Sequence, residues 1–347
     1  ETGLWTIGTE QINLGAYAGE IGQNPQAVAL GYLAGQITQG TQAVAIGANA
    51  GQNSQGLQSV AIGYLAGNWH QGSGSVAIGV SVGTSYQSDY AIAVGYAAGQ
   101  SAQGLAAISA GYSAGQFNQG TYGLAVGYQA GNSSQGSAAV ALGYRAGENQ
   151  QNVNAVSLGS FAGQATQGEN AVAIGLQSGQ INQDSNSISI GSYAGQQFQG
   201  SGSVAIGLNA ATTNQGVNSL AVGPFAGQQS QGSGSIALGY AAGSSDQGLQ
   251  SIAIGYGAAN ANQNDSAIAV GFQAGNVGQG SGGIAIGTNA GGFIQSIQAV
   301  AVGTEAGATN QGSGSVAMGY QAGSFSQSYD SVAIGSHAGQ SSQANSS

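Results

Sequence analysis

The chain has 347 residues, yet it carries only 11 acidic residues and a single base, Arg145. Globular domains usually draw about a quarter of their residues from charged types, so this composition excludes an ordinary globular surface. The net charge of −10 excludes nucleic acid, because phosphate binding depends on Lys and Arg, and it disfavours anionic membrane surfaces. The absence of cysteine excludes disulfides, thiolate metal sites and cysteine nucleophiles. No apolar run approaches the roughly 18 residues of a membrane span, so we expect a soluble, mature region without membrane insertion.

Residues 1–10 precede the regular part of the sequence. The apolar stretch Leu4–Gly8 predicts an N-terminal capping segment, although Glu1–Gly3 also suits a remnant of cloning. From Gln11 a 16-residue unit repeats 21 times without insertion or deletion, as in Ser59–Gly74. Fixed internal repeats of this kind are typical of solenoids. We therefore predict one continuous solenoid domain over residues 11–347.

The unit begins with a predicted strand at repeat positions 1–4. Position 2 is always Val, Ile or Leu, and position 4 is Ile, Leu, Val or Met in every unit except for Ala110. Two apolar columns spaced two apart predict a short strand that buries these side chains. Positions 1 and 3, which then face outward, are almost always Ala, Ser or Gly. A solvated face has no reason to exclude larger side chains, so we predict a small-residue strip that packs against a sister chain; it includes Ala29, Ala45, Ala61, Ala77 and Ala93.

Glycine punctuates the remainder of the unit. It occurs at position 5 in all units, which predicts an unusual φ and a close backbone approach. At position 9 it is replaced only by Ala211 and Ala259, which predicts tight packing rather than a left-handed conformation. Position 14 is Gly in 13 units and Asn or Asp in four more, which predicts a turn with positive φ. The predicted coil is thus a strand at 1–4, a corner at 5, an extended stretch at 6–10 and a polar turn at 11–16.

Position 13 is Gln in every unit. Equivalent residues of a solenoid stack about 4.8 Å apart, so these amides either form a ladder along the axis or cap the turn of their own coil. Both interpretations are structural, and the residues include Gln23, Gln39, Gln55, Gln71, Gln87, Gln103 and Gln119.

Position 6 is Tyr in nine units. Stacked aromatic rings stabilise a column of coils, and they can also form a stripe that binds sugars or surfaces. The predicted stripe consists of Tyr32, Tyr64, Tyr96, Tyr112, Tyr128, Tyr144, Tyr240, Tyr256 and Tyr320.

These patterns predict an all-β fold, a parallel β-solenoid (β-roll) of 21 coils with 16 residues per coil. Interior glycines exclude helix, since each costs about 1 kcal/mol there. At about 4.8 Å per coil the solenoid would be a rod about 100 Å long, with a thin core of Val and Ile packed against the Ala at position 8. The last repeat keeps the pattern, so we expect a longer fibre or end-to-end stacking.

Several motifs imitate catalytic or binding sites. Gly79–Gly83 and Gly111–Gly115 match the Gly-x-Ser-x-Gly nucleophile elbow, but position 7 varies freely, and the histidines His70 and His337 lie far apart in sequence. Gly278–Gly280 lacks the βαβ context of a phosphate loop. We predict no catalytic residue, no metal site and no cofactor, and hence no enzyme. Sequons at Asn132, Asn264 and Asn345 would matter only in a eukaryotic secretory pathway.

The sequence Ser-Val-Ala-Ile-Gly recurs intact at four places: Ser59–Gly63, Ser75–Gly79, Ser203–Gly207 and Ser331–Gly335. It resembles the YadA-like head repeats of trimeric autotransporter adhesins, and it is similar to repeats of phage and giant-virus fibres. The resemblance implies a left-handed homotrimeric β-roll, displayed on a cell or virion surface and used for attachment. The unit of those heads is typically shorter than 16 residues.

We therefore predict a structural or adhesive surface fibre, extracellular or on a cell or virion surface. Its expected partner is itself, as a homotrimer or a filament, together with a host-surface glycan or protein. A purely architectural extracellular or virion filament is the first alternative. An ice-binding solenoid is the second, although ice-binding faces usually carry columns of Thr, and Thr forms no column in this sequence.

Overall fold

A computed structural model describes residues 10–343, and the predicted capping segment lies almost entirely outside them. The described chain is a parallel β-solenoid with two strands in each coil, which confirms the predicted fold class. It divides into two compact units, Glu1–Asn170 and Ala171–Ser347. Among the described residues, no helix is long and apolar enough to cross a lipid bilayer.

The first unit contains ten coils. Its strands are β1 Ile12–Leu14, β2 Ile21–Gln23, β3 Val28–Leu30, β4 Ile37–Gln39, β5 Val44–Ile46, β6 Asn53–Gln55, β7 Val60–Ile62, β8 Trp69–Gln71, β9 Val76–Val80, β10 Ser85–Gln87, β11 Ile92–Tyr96, β12 Ser101–Gln103, β13 Ile108–Ala110, β14 Phe117–Gln119, β15 Leu124–Val126, β16 Ser133–Gln135, β17 Val140–Leu142, β18 Asn149–Gln151, β19 Val156–Leu158 and β20 Ala165–Gln167.

The second unit contains eleven coils. Its strands are β21 Val172–Ile174, β22 Ile181–Gln183, β23 Ile188–Ile190, β24 Gln197–Gln199, β25 Val204–Ile206, β26 Thr213–Gln215, β27 Leu220–Val222, β28 Gln229–Gln231, β29 Ile236–Leu238, β30 Ser245–Gln247, β31 Ile252–Ile254, β32 Ala261–Gln263, β33 Ile268–Val270, β34 Val277–Gln279, β35 Ile284–Ile286, β36 Phe293–Gln295, β37 Val300–Val302, β38 Thr309–Gln311, β39 Val316–Met318, β40 Phe325–Gln327, β41 Val332–Ile334 and β42 Ser341–Gln343.

Within each unit the odd-numbered strands form one parallel sheet, sheet A, and the even-numbered strands form another, sheet B. Partners lie one repeat apart, as in Ile12 with Val28 in sheet A and Ser85 with Ser101 in sheet B. Every repeat position therefore forms one column within its unit, and the side chains of a column are alike wherever the repeat is constant at that position. This register follows from the constant unit length, because one insertion would shift all later columns.

The second strand of each coil was placed wrongly from the sequence. It occupies positions 11–13, whereas positions 6–9 form a turn, as in residues 32–35. The cause is a run of left-handed backbone at positions 5, 7 and 9: Gly31 has φ 131°, Leu33 φ 55° and Gly35 φ 51°. An extended chain cannot pass through three such residues in five. Position 7 admits large side chains in this conformation because the backbone is held by the adjacent coil, where Leu33 N donates to Ala16 O at 3.0 Å.

Two predictions about glycine were also wrong. Position 9 is left-handed even where Ala replaces Gly, since Ala211 and Ala259 both have φ 46°. Position 14 does not have positive φ; the left-handed residues around the second turn are at positions 12 and 16, such as Gln42 with φ 60°. Glycine prevails at position 14 for another reason: a Cβ on Gly40 would lie 2.4 Å from the carbonyl oxygen of Gly56.

The predicted core is correct for the Ala of position 8 and wrong for the first strand, whose buried and exposed faces are exchanged. Ala29 at position 3 and Ala34 at position 8 are fully buried, as are the small residues at position 1. Positions 2 and 4 face outward, and the side chain of Ile78 is 38% exposed. The small-residue strip, Ala29, Ala45, Ala61, Ala77 and Ala93, is therefore the inside of the coil and not an outer packing surface. The space between sheets A and B is narrow: apart from Val82, the buried residues at positions 3 and 8 are Ala or Ser, beside the inward-pointing Gln of position 13.

Candidate functional surfaces

The Gln column forms the polar half of the core. Gln279 is fully buried, and its Nε2 donates to Ile268 O at 2.8 Å, to Gly283 O at 3.1 Å and to Gln295 Oε1 at 3.0 Å. Its own Oε1 accepts a hydrogen bond from Gln263 Nε2 at 3.0 Å. One amide thus joins two coils through the side-chain ladder and also caps backbone carbonyls. The side-chain ladder and the capping of carbonyls therefore occur together in this residue, although the capped carbonyls belong to strand β33 and to the next coil and not to the turn of its own coil.

The Gln–Gln hydrogen bond is missing at some coils of this column, and at others a Ser hydroxyl also bonds the Gln. Gln55 and Gln71 donate to the carbonyls of Val44 and Val60 at 2.8 Å, and their Oε1 atoms are buried without a hydrogen-bond partner. Where Ser replaces Ala at position 3, its hydroxyl bonds the Gln of the same coil, as Ser109 Oγ does to Gln119 Oε1 at 2.7 Å. The remaining residues of the predicted ladder show the same bond to the position 2 carbonyl of their own coil: Gln39, Gln87, Gln103 and Gln119. Gln23 instead bonds Ala27 O and Gln39 Oε1.

The outer face of sheet A carries the columns of positions 2 and 4, which we call the apolar strip. In the second unit it includes Ile206, Leu238, Ile286 and Met318, each between 37% and 42% exposed. No position 2 or position 4 residue of the 21 repeats is charged or polar. Large aliphatic side chains normally leave water on folding, so a continuous, partly exposed strip of them is a candidate contact surface.

The tyrosines of position 6 form exposed stacks beside the apolar strip. Tyr96, Tyr112, Tyr128 and Tyr144 stack in succession, with ring centroids 5.0 to 5.2 Å apart and interplanar angles of 9° to 11°. In the second unit, Tyr240 stacks on Tyr256 at 4.9 Å, and Phe272 follows at 5.4 Å. The predicted stripe is therefore interrupted. Tyr32 and Tyr320 make edge contacts with Tyr17 and His337, and the column neighbours of Tyr64 are not aromatic.

A slot of about 300 Å³ opens in the second unit between the columns of positions 7 and 11. Exposed Phe293 and Phe325 lie at its two ends, with Thr309 between them. Its floor includes Gly292 and Ala308 at position 10. The other lining residues are Gln273, Asn289, Glu305 and Ser324. The site was not predicted from the sequence, although the side chains at position 10 become small in three successive repeats, at Gly292, Ala308 and Ser324.

The single base is part of an ion pair in the first unit. Arg145 Nη2 lies 2.8 Å from Glu148 Oε1, and Glu148 Oε2 accepts a hydrogen bond from Gln164 Nε2 at 2.7 Å. The hydrogen bond to Glu148 raises the pKa of Arg145, which burial partly offsets. Glu148 is buried, so this ion pair compensates the charge of a buried carboxylate.

The two Gly-x-Ser-x-Gly motifs, Gly79–Gly83 and Gly111–Gly115, lie at positions 5–9 of the repeat, where the chain turns. Ser81 and Ser113 have φ near 50°, and Ser113 is almost fully buried, which is unlike the exposed serine of a nucleophile elbow. His70 stacks on Tyr86 at 5.1 Å. Over residues 10–343, no group of three or more His, Cys, Asp or Glu side chains could hold a metal ion. Asn132 bonds Ser113 O and Gln116 Oε1, whereas Asn345 lies beyond the described residues.

No protein-family model matches this chain, and no curated protein is significantly similar to it.

Proposed function

We propose that this chain is a structural segment of a surface fibre, which associates with copies of itself through the apolar strip and performs no catalysis. The observation that carries the proposal is the exposure of two continuous aliphatic columns on the outer face of sheet A. A rigid β-solenoid is compatible with such a role, because coils in register resist bending better than loosely linked domains. The fibre would be displayed outside the cell or on a virion, as the resemblance to adhesin heads implies.

The size of the strip supports association. Ten coils at a rise of about 4.8 Å, with two columns covering about 10 Å of width, give about 500 Å² of apolar surface in one unit. Soluble monomers rarely expose contiguous apolar patches much larger than a few hundred Å². Burying such an area at about 25 cal/mol per Å² corresponds to about 12 kcal/mol before the losses of association entropy. That upper value is comparable to the association cost of about 4–15 kcal/mol, so the strip supports association when its whole length is covered.

The spacing of the strip favours a second copy of the chain as the partner. Val, Ile and Leu side chains recur once per coil, so a matching surface must present aliphatic groups at the same interval. An identical strip does so by construction, and closed symmetric association buries every strip. The resemblance to adhesin heads implies three chains around one axis.

An adhesive role for the same fibre rests on the tyrosine stacks. Their rings stay about half exposed in the single chain, and each ends in a hydroxyl group. Exposed aromatic groups with a polar tip suit contacts with glycans or proteins. A fibre that used these residues for attachment would bind a host surface, whereas a purely architectural filament would not.

Mass in solution tests the association. The intact chain is expected to run at about three times 33.5 kDa in light scattering. A strip variant places lysines on three exposed position 4 residues: Ile206→Lys, Leu238→Lys and Ile286→Lys. It is expected to run as a monomer with unchanged β-sheet circular dichroism, because facing strips would then bring like charges together.

A matched control carries the same three lysines on the polar column of position 12: Asn214→Lys, Ser230→Lys and Asn262→Lys. That column tolerates bulky side chains, including Phe198. The control is expected to keep the oligomeric mass. A monomeric intact chain, or a strip variant that associates as well as the control, would refute self-association through this surface.

A further inference from the structure

The slot between Phe293 and Phe325 is a local departure from the repeat. Position 10 usually carries a long amide that bonds an adjacent coil, as Gln52 Nε2 does to Gln36 Oε1 of the preceding coil at 3.0 Å. In three successive coils it is instead Gly292, Ala308 and Ser324, a run of small residues found nowhere else in this column. Removing three long side chains side by side leaves the hollow of about 300 Å³.

The same coils supply aromatic walls. Phe293 and Phe325 are 57% and 55% exposed and belong to the same column, two coils apart. Coils separated by about 4.8 Å place these residues about 9.6 Å from each other. One saturated six-membered ring fits into that interval at van der Waals distance, about 4 Å, from a phenyl group on either side. The intervening residue, Thr309, is small and ends in a hydroxyl group.

The rim of the slot is rich in neutral hydrogen-bonding groups. Gln273 and Asn289 contribute amides, Thr309 and Ser324 contribute hydroxyls, and Glu305 is the single carboxylate. Glu305 Oε2 already accepts a hydrogen bond from Gln321 Nε2 at 2.7 Å, which fixes its position. Two apolar walls with such a rim match a pyranose, whose ring faces carry C–H groups and whose edge carries hydroxyls.

We propose that this slot binds one pyranose residue of a glycan, held between Phe293 and Phe325 and hydrogen-bonded by the rim. A small organic cation fits less well, because the slot is open to water and cation–π contacts at exposed sites contribute only about 0.5–1 kcal/mol. The slot and the apolar strip use different columns of the coil. The proposal therefore stands or falls independently of self-association.

Saturation-transfer NMR on the full chain tests the proposal with four neutral disaccharides: cellobiose, chitobiose, maltose and lactose. Transfer to ring C–H protons of at least one of them is expected, with a dissociation constant in the millimolar range that suits a single open subsite. Phe293→Ala and Phe325→Ala should each weaken binding about tenfold, since each removes one aromatic wall. Phe117→Ala, in the same column but in the first unit, is the matched control and should leave binding unchanged.

A filling variant separates binding from folding. Ala308→Gln restores the amide that this column usually carries, so it should preserve the circular dichroism spectrum and abolish saturation transfer. Transfer that persists in Ala308→Gln would overturn the assignment of the slot. If none of the four sugars showed saturation transfer, or if tetramethylammonium showed it and the sugars did not, the proposed ligand class would be wrong.

Discussion

Replacing a buried ladder residue, Gln279→Ala, should be among the most damaging single changes in this chain. The side chain makes three donor contacts between 2.8 and 3.1 Å and accepts one at 3.0 Å, all in the core. Gly283 O keeps a backbone partner, Ile268 N at 2.9 Å, so its loss is small. The neighbouring amides of Gln263 and Gln295 each lose a hydrogen-bond partner inside the core, at about 1 kcal/mol each. With the cavity left by the missing atoms, we expect a loss of about 4 kcal/mol in local stability.

Native-state hydrogen exchange measured by mass spectrometry is the suitable assay, because solenoids open coil by coil and a single unfolding midpoint is not well defined. Exchange protection should fall in the coil of Gln279 and in the two adjacent coils, and it should be unchanged in the first unit. The control, Gln250→Ala, removes an exposed Gln from position 16, where Ala106 and Ala138 already adopt the same left-handed backbone. It should change stability by less than about 0.5 kcal/mol. Equal protection in the two variants would refute the view that the Gln column holds the coils together.

Three further changes test other parts of the coil. Gly271→Ala places a methyl group 2.6 Å from a carbonyl oxygen of the next coil at φ 133°, so it should abolish protection of that coil in hydrogen exchange; wild-type protection would contradict the close approach. Tyr112→Ala removes two stacking contacts of 5.0 Å and should cost about 1–3 kcal/mol in the local stability of its coil, measured by hydrogen exchange, more than Tyr64→Ala, whose column neighbours are aliphatic. Arg145→Met leaves the buried carboxylate of Glu148 without its cation and should cost about 1–3 kcal/mol in the local stability of its coil at pH 7, measured by hydrogen exchange; unchanged protection of that coil would contradict a stabilising ion pair.

The repeat length, the strand at positions 2–4 and the in-register parallel pairing were predictable, because columns of equal spacing admit one stacking arrangement. The direction of the side chains was not. Alternation shows only that positions 2 and 4 share one face and positions 1 and 3 the other, and it is silent about which face is inside. The usual preference for burying Val and Ile gave the wrong answer, because the distance between sheets is set by the turns at positions 6–9 and 14–16.

Those turns depend on residues with left-handed backbone, and only some of these residues can be recognised from the sequence. Position 16 holds Asn or Gly in many units, a preference that marks left-handed backbone and was overlooked. Position 7 holds Leu33, Arg145, Phe161 and Glu305 in the same conformation, and such a mixture carries no local signal. There the conformation is imposed by hydrogen bonds to the adjacent coil, which no single repeat contains. The slot, by contrast, was recoverable from sequence, since it arises from side-chain size in one column.

The inversion of the core changes which surface supports assembly. The exclusion of large side chains from positions 1 and 3 has a complete explanation inside the coil, where Ala29 and its equivalents are fully buried, so it no longer argues for a sister chain. The same inversion leaves Val, Ile and Leu of positions 2 and 4 facing outward, and within residues 10–343 no layer of the chain covers them. Because only 3% of the residues are charged, electrostatic repulsion between two such strips is weak. Association is therefore better supported by the face of positions 2 and 4, which were predicted to form the core. The face of positions 1 and 3, which was predicted to form the interface, gives it no support.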